Sequence, residues 1–394
     1  MLSRLRILLA LLMSLAFVAA ACGGDDAAST SSDADASAED GDGSSEGGDR
    51  TPTASAQKTL AEECQENSGI EAADDFNVVL VTDIGKVDDG TFNEFAFNGL
   101  KGAEDCWGIE ISYIETVSEA DYAANLATAL ESDPEVVVSV GFLLASDTMA
   151  AAQDNPDVSF IGVDQFHPEY PDNYIGVLFN EHEGGYIVGA LAAAMSETGV
   201  IGVVAGREDV PPVVKFVNGY IQGAKATNSD ISVLSVYNES FTDPAKGGSD
   251  AEQFIGEGAD VVFGAGGPTG SGAVAKAAEA GVWAIGVDQD EYFTTFAGGE
   301  AAGANYLISS AMKRVDLGVI RNIQAAIEGT FAGGAYVLSA ENDGITYAPF
   351  HEAGVSQDAA LTVEAARAGL AGGTISTGVC FIDGILEGEG SACD

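Results

Sequence analysis

From Phe76 onward, short runs rich in β-branched residues alternate with segments whose apolar residues recur at helical spacing. The runs are continuously apolar, which is typical of strands buried on both faces of a parallel sheet. Strand–helix alternation of this kind predicts an α/β fold built from doubly wound parallel sheets. The predicted strands are 77–82, 110–114, 135–140, 158–163, 173–179, 199–205, 231–237, 260–264, 282–287 and 304–309. The predicted helices include 91–105, 119–131, 213–226, 246–257 and 310–328, with a buried helix near 186–195.

A repeat divides this pattern into two similar halves. Ile161-Gly162-Val163-Asp164-Gln165 recurs 124 residues later as Ile285-Gly286-Val287-Asp288-Gln289. The same offset also aligns 79–81 with 203–205, Tyr113 with Tyr237, Phe92 with Phe216, 98–99 with 222–223, and 136–138 with 260–262. One constant offset over separate segments indicates two α/β lobes derived from one ancestral unit.

Ligands of doubly wound sheets bind at the carboxyl ends of the strands and between domains. We therefore take the residues that follow the predicted strands as site candidates: Asp83, Gly141, Phe142, Asp164, Gly266, Gly267 and Asp288. Paired acids across a cleft suit two tasks, accepting hydrogen bonds from sugar hydroxyls or acid–base hydrolysis.

Each candidate also has a purely structural interpretation. Asp164 and Asp288 could each cap a following helix, although Gln follows both of them. Lys313, predicted early in a helix, could be a surface cation. Phe92 at a helix start could pack as a hydrophobic staple instead of stacking on a flat ligand.

Cofactor and catalytic motifs are missing from the sequence. The Gly-rich stretch 264–270 lacks the G-x-G-x-x-G spacing, and Pro268 removes an amide donor. There is no G-x-x-x-x-G-K-S/T motif, and His167, His182 and His351 share no metal-ligand spacing. We expect no cofactor, no metal and no enzymatic activity.

The amino-acid composition excludes two classes of protein, nucleic-acid binders and disordered chains. Of 394 residues, 62 are acidic and 15 are Lys or Arg, giving a formal net charge of −47. Nucleic-acid binders need a basic surface, so we expect no nucleic-acid partner. The hydrophobic fraction of 46% is enough for a sizeable core and excludes a disordered chain.

The amino terminus predicts export and anchoring. Arg4 and Arg6 precede an uncharged run at 7–21 that is short for a membrane span, which favours a signal peptide at 1–21 over a transmembrane anchor. Ala19-Ala20-Ala21-Cys22 resembles a bacterial lipobox, although Leu is commoner at position 19, so we expect lipidation at Cys22. Residues 22–56 are small, polar and acidic and predict a disordered tether. The predicted location is the extracytoplasmic face of the cell membrane.

The remaining four cysteines would lie in an oxidising compartment. Three pairings are possible, and we favour Cys64–Cys106 with Cys380–Cys393 because each joins segments near one terminus.

Several motifs together indicate a family. Thr82-Asp83-Ile84-Gly85 with Asp89-Gly90-Thr91-Phe92-Asn93 resembles the opening motif of the basic membrane protein lipoproteins, which are purine-nucleoside-type solute-binding proteins of bacterial ABC transporters. The resemblance covers about residues 76–330. Its further segments are 141–144, 179–186, 265–270, 285–290 and 309–316.

This resemblance implies a type I periplasmic-binding-protein fold with two Rossmann-like lobes and a three-segment hinge. It implies that Asp83 and Asn93 contact a base, Phe92 stacks on it and Phe142 lines the pocket. Asp164, Asp288 and Lys313 would hold the ribose. Thr91, where Ser is usual, and Lys86 depart from the family pattern and bear on base selectivity. The acidic composition departs too, but it concerns only the surface.

The sequence thus predicts a monomeric, lipid-anchored receptor that captures nucleosides between its lobes and delivers them to an ABC permease. We expect an N-terminal lobe of 57–180 plus about 304–335, and a C-terminal lobe of about 181–303 plus 336–394. The alternative is the same fold binding a sugar or another small solute, for uptake or sensing. A nucleoside hydrolase and a signalling or adhesion role are the other hypotheses.

Overall fold

The computed structural model describes residues 58–394, so the predicted signal peptide, Cys22 and the whole predicted tether lie outside the described residues. The helices are α1 Leu60–Glu66, α2 Phe92–Trp107, α3 Tyr122–Leu130, α4 Ala145–Asp154, α5 Glu181–Met195, α6 Pro211–Thr227, α7 Pro244–Gly256, α8 Gly267–Glu279, α9 Val315–Ile327 and α10 Gln357–Ala371. The strands are β1 Asn77–Ile84, β2 Glu110–Thr116, β3 Val136–Val140, β4 Ser159–Val163, β5 Tyr174–Phe179, β6 Val200–Ala205, β7 Ser232–Tyr237, β8 Val261–Ala265, β9 Trp283–Asp288, β10 Leu307–Lys313, β11 Gly334–Leu338 and β12 Ile345–Tyr347.

The strands form two six-stranded sheets with matching topology. The first has the order β11-β5-β4-β3-β1-β2 and is parallel throughout. The second has the order β12-β10-β9-β8-β6-β7, and only its β10–β12 pair is antiparallel. Their central strands β3 and β8 are buried at every position, as parallel sheets covered by helices require. This arrangement confirms the predicted α/β fold with two doubly wound lobes.

The chain passes between the sheets three times, at β5–α5, β10–α9 and β11–β12. These crossings correct two sequence predictions. Residues 307–313 were expected partly as strand and partly as helix in the first lobe, but they form one strand of the second sheet. Lys313 is therefore the last residue of β10, not an early helical residue. Pairing with β9 overrides the weak strand propensity of this Ser- and Ala-containing stretch.

Helices α5 and α6 pack closely through glycines. A Cβ at Gly189 would lie 2.9 Å from the Tyr220 Cα, and one at Gly223 would lie 2.8 Å from the Tyr186 Cα. Gly185 and Gly219 meet the opposite backbone in the same way. We call this contact, made by Gly185, Gly189, Gly219 and Gly223, the glycine seam. Because α5 follows a crossing between the sheets and α6 follows a loop beside the cavity, the seam fixes the positions of their first turns.

The structure pairs Cys64 with Cys106 and Cys380 with Cys393, at Cα–Cα distances of 5.3 and 5.6 Å. These are the pairings that the sequence favours. Within residues 58–394, no helix combines the length and the apolar character needed to cross a membrane.

Candidate functional site

One cavity lies at the carboxyl ends of both sheets and encloses about 620 Å³, part of it open to solvent. All eight ligand-binding candidates from the sequence line it: Asp83, Phe92, Asn93, Phe142, Asp164, Gly266, Asp288 and Lys313. The remaining lining residues are Ile84, Asp89, Gly141, Val210, Pro212, Val213, Phe216, Phe241, Ala265, Gly267, Pro268 and Val287.

Lys313 lines the cavity and forms ion pairs with two buried carboxylates. Its ammonium Nζ is 2.6 Å from Asp164 Oδ2 and 2.9 Å from Glu181 Oε1, and its side chain is 2% exposed. Glu181 also pairs with the buried Lys215. The carboxylates of Asp164, Glu181 and Asp288 outweigh burial and raise the pKa of Lys313, so the ammonium is charged. Lys313 is thus a buried ion-pair centre rather than a surface cation.

Asp164 and Asp288 occupy equivalent positions on matched strands, and neither caps a helix. Both adopt left-handed backbone angles, φ 62° and 66°, which Asp tolerates better than most residues. Burial raises the pKa of Asp288 to about 7, opposed by the Lys313 charge and reinforced by that of Asp164. The pKa of Asp164 is also raised by burial, against the opposing charge of Lys313. Asp164 Oδ1 is buried and has no hydrogen-bond partner within the described part of the chain.

A second polar group comes from the end of β1 and the start of α2. The Asp83 N–H donates to Asn93 Oδ1 at 3.0 Å, and the Asp83 carboxylate accepts from the Ile84 N–H at 2.6 Å and from the Tyr122 hydroxyl. Burial raises the pKa of Asp83 to about 6 despite these hydrogen bonds.

Asp89 fixes the Asn93 side chain. Its carboxylate accepts from Asn93 Nδ2 at 3.0 Å and from the backbone N–H groups of Thr91, Asn93 and Glu94 at 2.9 to 3.2 Å. It therefore serves the start of α2 as a capping acceptor while it positions a cavity residue. The sequence flagged this segment, but not Asp89 individually, because capping and binding use the same residue types.

Four phenylalanines belong to the apolar part of the cavity lining: Phe92, Phe142, Phe216 and Phe241. The Lys313 Nζ lies 4.9 Å from the Phe92 ring centroid and 6.0 Å from that of Phe216. Sequence reasoning missed Phe216 and Phe241 as site residues. The repeat had already aligned Phe216 with Phe92, and that symmetry was the available signal. Phe241 lies in a loop with no periodic pattern.

Two glycines leave room for the polar groups. At Gly141, φ is 107°, and a Cβ would lie 2.7 Å from Asp83 Cγ. At Gly266, a Cβ would lie 2.6 Å from the Gly206 Cα, where the ends of β6 and β8 come together. Larger residues would displace the neighbouring strand ends and their side chains.

The two lobes contact each other around the cavity. Thr294 Oγ1 donates to the Gly90 carbonyl at 2.8 Å, and Gln289 Nε2 donates to the Thr91 carbonyl at 3.3 Å. Arg207 pairs with Glu119 at the outer edge. The described chain is therefore in a closed arrangement. Within residues 58–394, no cluster of three His, Cys, Asp or Glu side chains could hold a metal.

The family model for PnrA-like substrate-binding proteins of ABC transporters matches residues 76–348. This chain belongs to that family. Its members are solute-binding proteins rather than enzymes, so the chain is a binding protein, as the sequence predicts. The match ends before α10, so residues 349–394 lie outside it.

Relatives and solved structures agree with this assignment. The chain is 32% identical over 290 residues to a Lactococcus lactis protein named ABC transporter nucleoside-binding protein BmpA, covering 69% of this chain and 81% of that protein. It is 31% identical over 306 residues to a CD4+ T-cell-stimulating antigen of Listeria monocytogenes, covering 74% and 84%. An ABC solute-binding protein from Aeropyrum pernix superposes with a TM-score of 0.68 at 26% identity, covering 76% and 92%.

Proposed function

We propose that this substrate-binding protein captures nucleosides, with purine nucleosides as the preferred class. The observation that carries the proposal is the composition of one cavity between the lobes: phenylalanine rings from both lobes lie beside Asp164, Lys313 and Asp288. A nucleoside combines a flat apolar base with a hydroxylated sugar and so matches both parts. The name of the Lactococcus relative supports the same ligand class.

The sugar would bind at the carboxylates. An ionised Asp can accept hydrogen bonds from two hydroxyls at once, and charge-assisted bonds of this kind are stronger than neutral ones. Asp164 Oδ1, which is buried without a partner in residues 58–394, would gain one from a ribose hydroxyl. Asp288 would accept from the same sugar, and Lys313 would keep Asp164 in place.

The base would bind between Phe92 and the rings of the second lobe, with Asp83 and Asn93 contacting its polar edge. Stacking of a base on an aromatic ring contributes roughly 1–3 kcal/mol. The charges of the lining side chains also define the ligand class, because Asp83, Asp89, Asp164 and Asp288 face a single lysine, Lys313. A phosphate group would meet this carboxylate excess, so an uncharged nucleoside is favoured over its nucleotide.

We further propose that Cys22 anchors the chain to the extracytoplasmic face of the cell membrane as a monomer, and that a permease of an ABC transporter receives the ligand. Relatives from Pyrococcus species are named lipoproteins, which supports the anchor. We also propose the two-lobe division, 57–180 and 181–303 with their later segments, with two changes: 307–313 belong with the second sheet and 336–338 with the first. Ligand would shift the hinge equilibrium by binding the closed form more tightly.

A thermal-shift panel of nucleosides, nucleobases, nucleotides and sugars tests the ligand class. Ligand at 100 times its dissociation constant adds about 2.7 kcal/mol to the free energy of unfolding. We expect guanosine, inosine or adenosine to raise the melting temperature, while free base, ribose and nucleotide do not. A response to sugars alone would replace the proposal with the sugar-binding alternative. Release of free base from inosine would contradict the assignment as a binding protein.

A further inference from the structure

Residues 376–394 form a compact C-terminal loop outside the part of the chain that the family model matches. The Cys380–Cys393 disulfide closes this loop. The Cys380 N–H donates to the Ile385 carbonyl at 2.8 Å, and the Glu387 N–H donates to the Gly378 carbonyl at 2.9 Å. The Asp394 carboxylate accepts three backbone N–H groups of residues 388–391 at 2.6 to 3.0 Å. The loop is therefore held in shape by its own contacts.

The C-terminal loop is attached to the second lobe. Asn218 Nδ2 of α6 donates to the Gly384 carbonyl at 2.7 Å, and Thr377 Oγ1 lies 2.9 Å from His182 Nδ1 of α5. The ammonium of Lys215 lies 5.0 Å from the Phe381 ring centroid. Phe381 is thus placed over the buried charge series Lys215–Glu181–Lys313–Asp164, which ends in the ligand cavity.

Phe381 also reaches the first lobe. Its ring packs edge-on against Phe166, with centroids 6.5 Å apart and planes at 88°. Phe166 follows Asp164 and Gln165 at the end of β4, so this aromatic pair joins the lobes beside the site carboxylate. Between the two rings and the cavity lies a second chamber of about 660 Å³, also partly open to solvent. It shares Phe142, Asp164 and Pro212 with the ligand cavity.

We infer that the C-terminal loop is a strap across the cleft, and that Phe381 is an affinity-determining residue that slows ligand release by packing on Phe166 in the closed form. The inference rests on the proposed function for its ligand, but not for the strap itself. Opening the lobes must separate these rings, because the loop stays with the second lobe. An edge-on aromatic pair of this kind changes an equilibrium by about 2- to 10-fold.

A double-mutant cycle of Phe381→Ala and Phe166→Ala in the full chain tests the strap. Dissociation of guanosine is followed by stopped-flow, and the lobe separation without ligand by spin labels at exposed positions Val117 and Glu239. Each single variant is expected to speed release about 2- to 10-fold and to lengthen the label distance. The double variant should do no more than the larger single effect. Ile385→Ala, in the same loop and partly exposed, is the matched control and should leave both readouts unchanged.

Additive effects in the cycle, no effect of Phe381→Ala, or an equal effect of Ile385→Ala would overturn the strap. If no nucleoside binds the wild-type chain, the proposed function fails. The label distances then still decide whether Phe381 holds the lobes together, so the two failures are distinguishable.

Discussion

Asp164 and Asp288, which are 124 residues apart, lie on opposite sides of one cavity with nearly the same backbone angles, φ 62° and 66°. Their environments differ although their positions are equivalent. Asp164 forms an ion pair with Lys313, whereas the charge of Lys313 acts on Asp288 without direct contact. Two equivalent positions of the sequence repeat thus carry carboxylates whose electrostatic surroundings differ.

Asp288→Ala should weaken nucleoside binding strongly. Losing hydrogen bonds to a buried charged acceptor costs about 1.5–3 kcal/mol, which is roughly a 10- to 150-fold rise in the dissociation constant. Isothermal titration with guanosine measures it, and Asp157→Ala on the exposed loop before β4 serves as the control. Unchanged affinity for Asp288→Ala would remove this residue from the site.

Phe216→Leu should lower affinity for nucleosides while leaving the fold intact. Leucine preserves much of the buried apolar volume but loses the stacking face, which is worth roughly 1–3 kcal/mol per base. Isothermal titration with guanosine measures the loss, and the melting temperature without ligand shows whether the fold is intact. Unchanged affinity for guanosine would remove Phe216 from the proposed base site.

Ligand affinity and stability should change in opposite directions with pH. The pKa of Asp288 rises from 3.8 to about 7 and that of Asp83 to about 6 on folding. Between its unfolded and folded pKa, each of these groups binds fewer protons in the unfolded chain than in the folded one. The two groups therefore make the free energy of unfolding fall as the pH rises from about 4 to 7. Ionised Asp288 is the better acceptor for sugar hydroxyls, so affinity should rise over the same window.

Melting curves and titrations at pH 5, 6, 7 and 8 measure both trends. Asp288→Asn removes the titrating group, so it should flatten the pH dependence of affinity and stabilise the unliganded chain at pH 8. Retention of the full wild-type dependence in this variant would assign the effect to Asp83 or Asp164.

Lys313→Met should destabilise the protein even without ligand. It would leave Asp164 without its cation and Glu181 with Lys215 alone, and breaking a buried ion pair costs about 3–5 kcal/mol. Urea unfolding measures the loss. Lys276→Met is the matched control, because its partner Glu252 is exposed and such surface pairs contribute about 0–1 kcal/mol. Equal stability of the two variants would contradict the buried-pair interpretation.

Gly189→Ala should disrupt the glycine seam. A methyl group there meets the Tyr220 backbone, and overpacking of this kind typically costs about 1–3 kcal/mol. Gly256→Ala at the end of α7 has open space around its Cβ and should be neutral or stabilising by up to about 1 kcal/mol. Similar melting temperatures for both variants would mean that α5 and α6 can move apart at little cost.

The sequence predicted the sheets well because their strands are continuous apolar runs and because the 124-residue repeat cross-checks them. It located the cavity residues that directly follow strands, such as Asp164 and Asp288. It failed where tertiary pairing decides the conformation. The stretch of small residues that ends at Lys313 has a helical pattern, but pairing with β9 makes it a strand. Short edge strands such as Gly334–Leu338 and the loop residue Phe241 have no local pattern of their own.

The connectivity of the first sheet has a consequence for the order of folding. Strand β5 ends at Phe179, and the edge strand β11, which pairs with it, begins at Gly334, 155 residues later. Until β11 emerges and docks, β5 presents unpaired backbone groups, which are a template for association with other chains. The whole second sheet except β12 precedes β11 along the chain, so the first lobe starts earliest and is completed among the last. Growing chains are therefore most exposed to misassembly in the interval before residue 334, and a chaperone that shields β5 would act there.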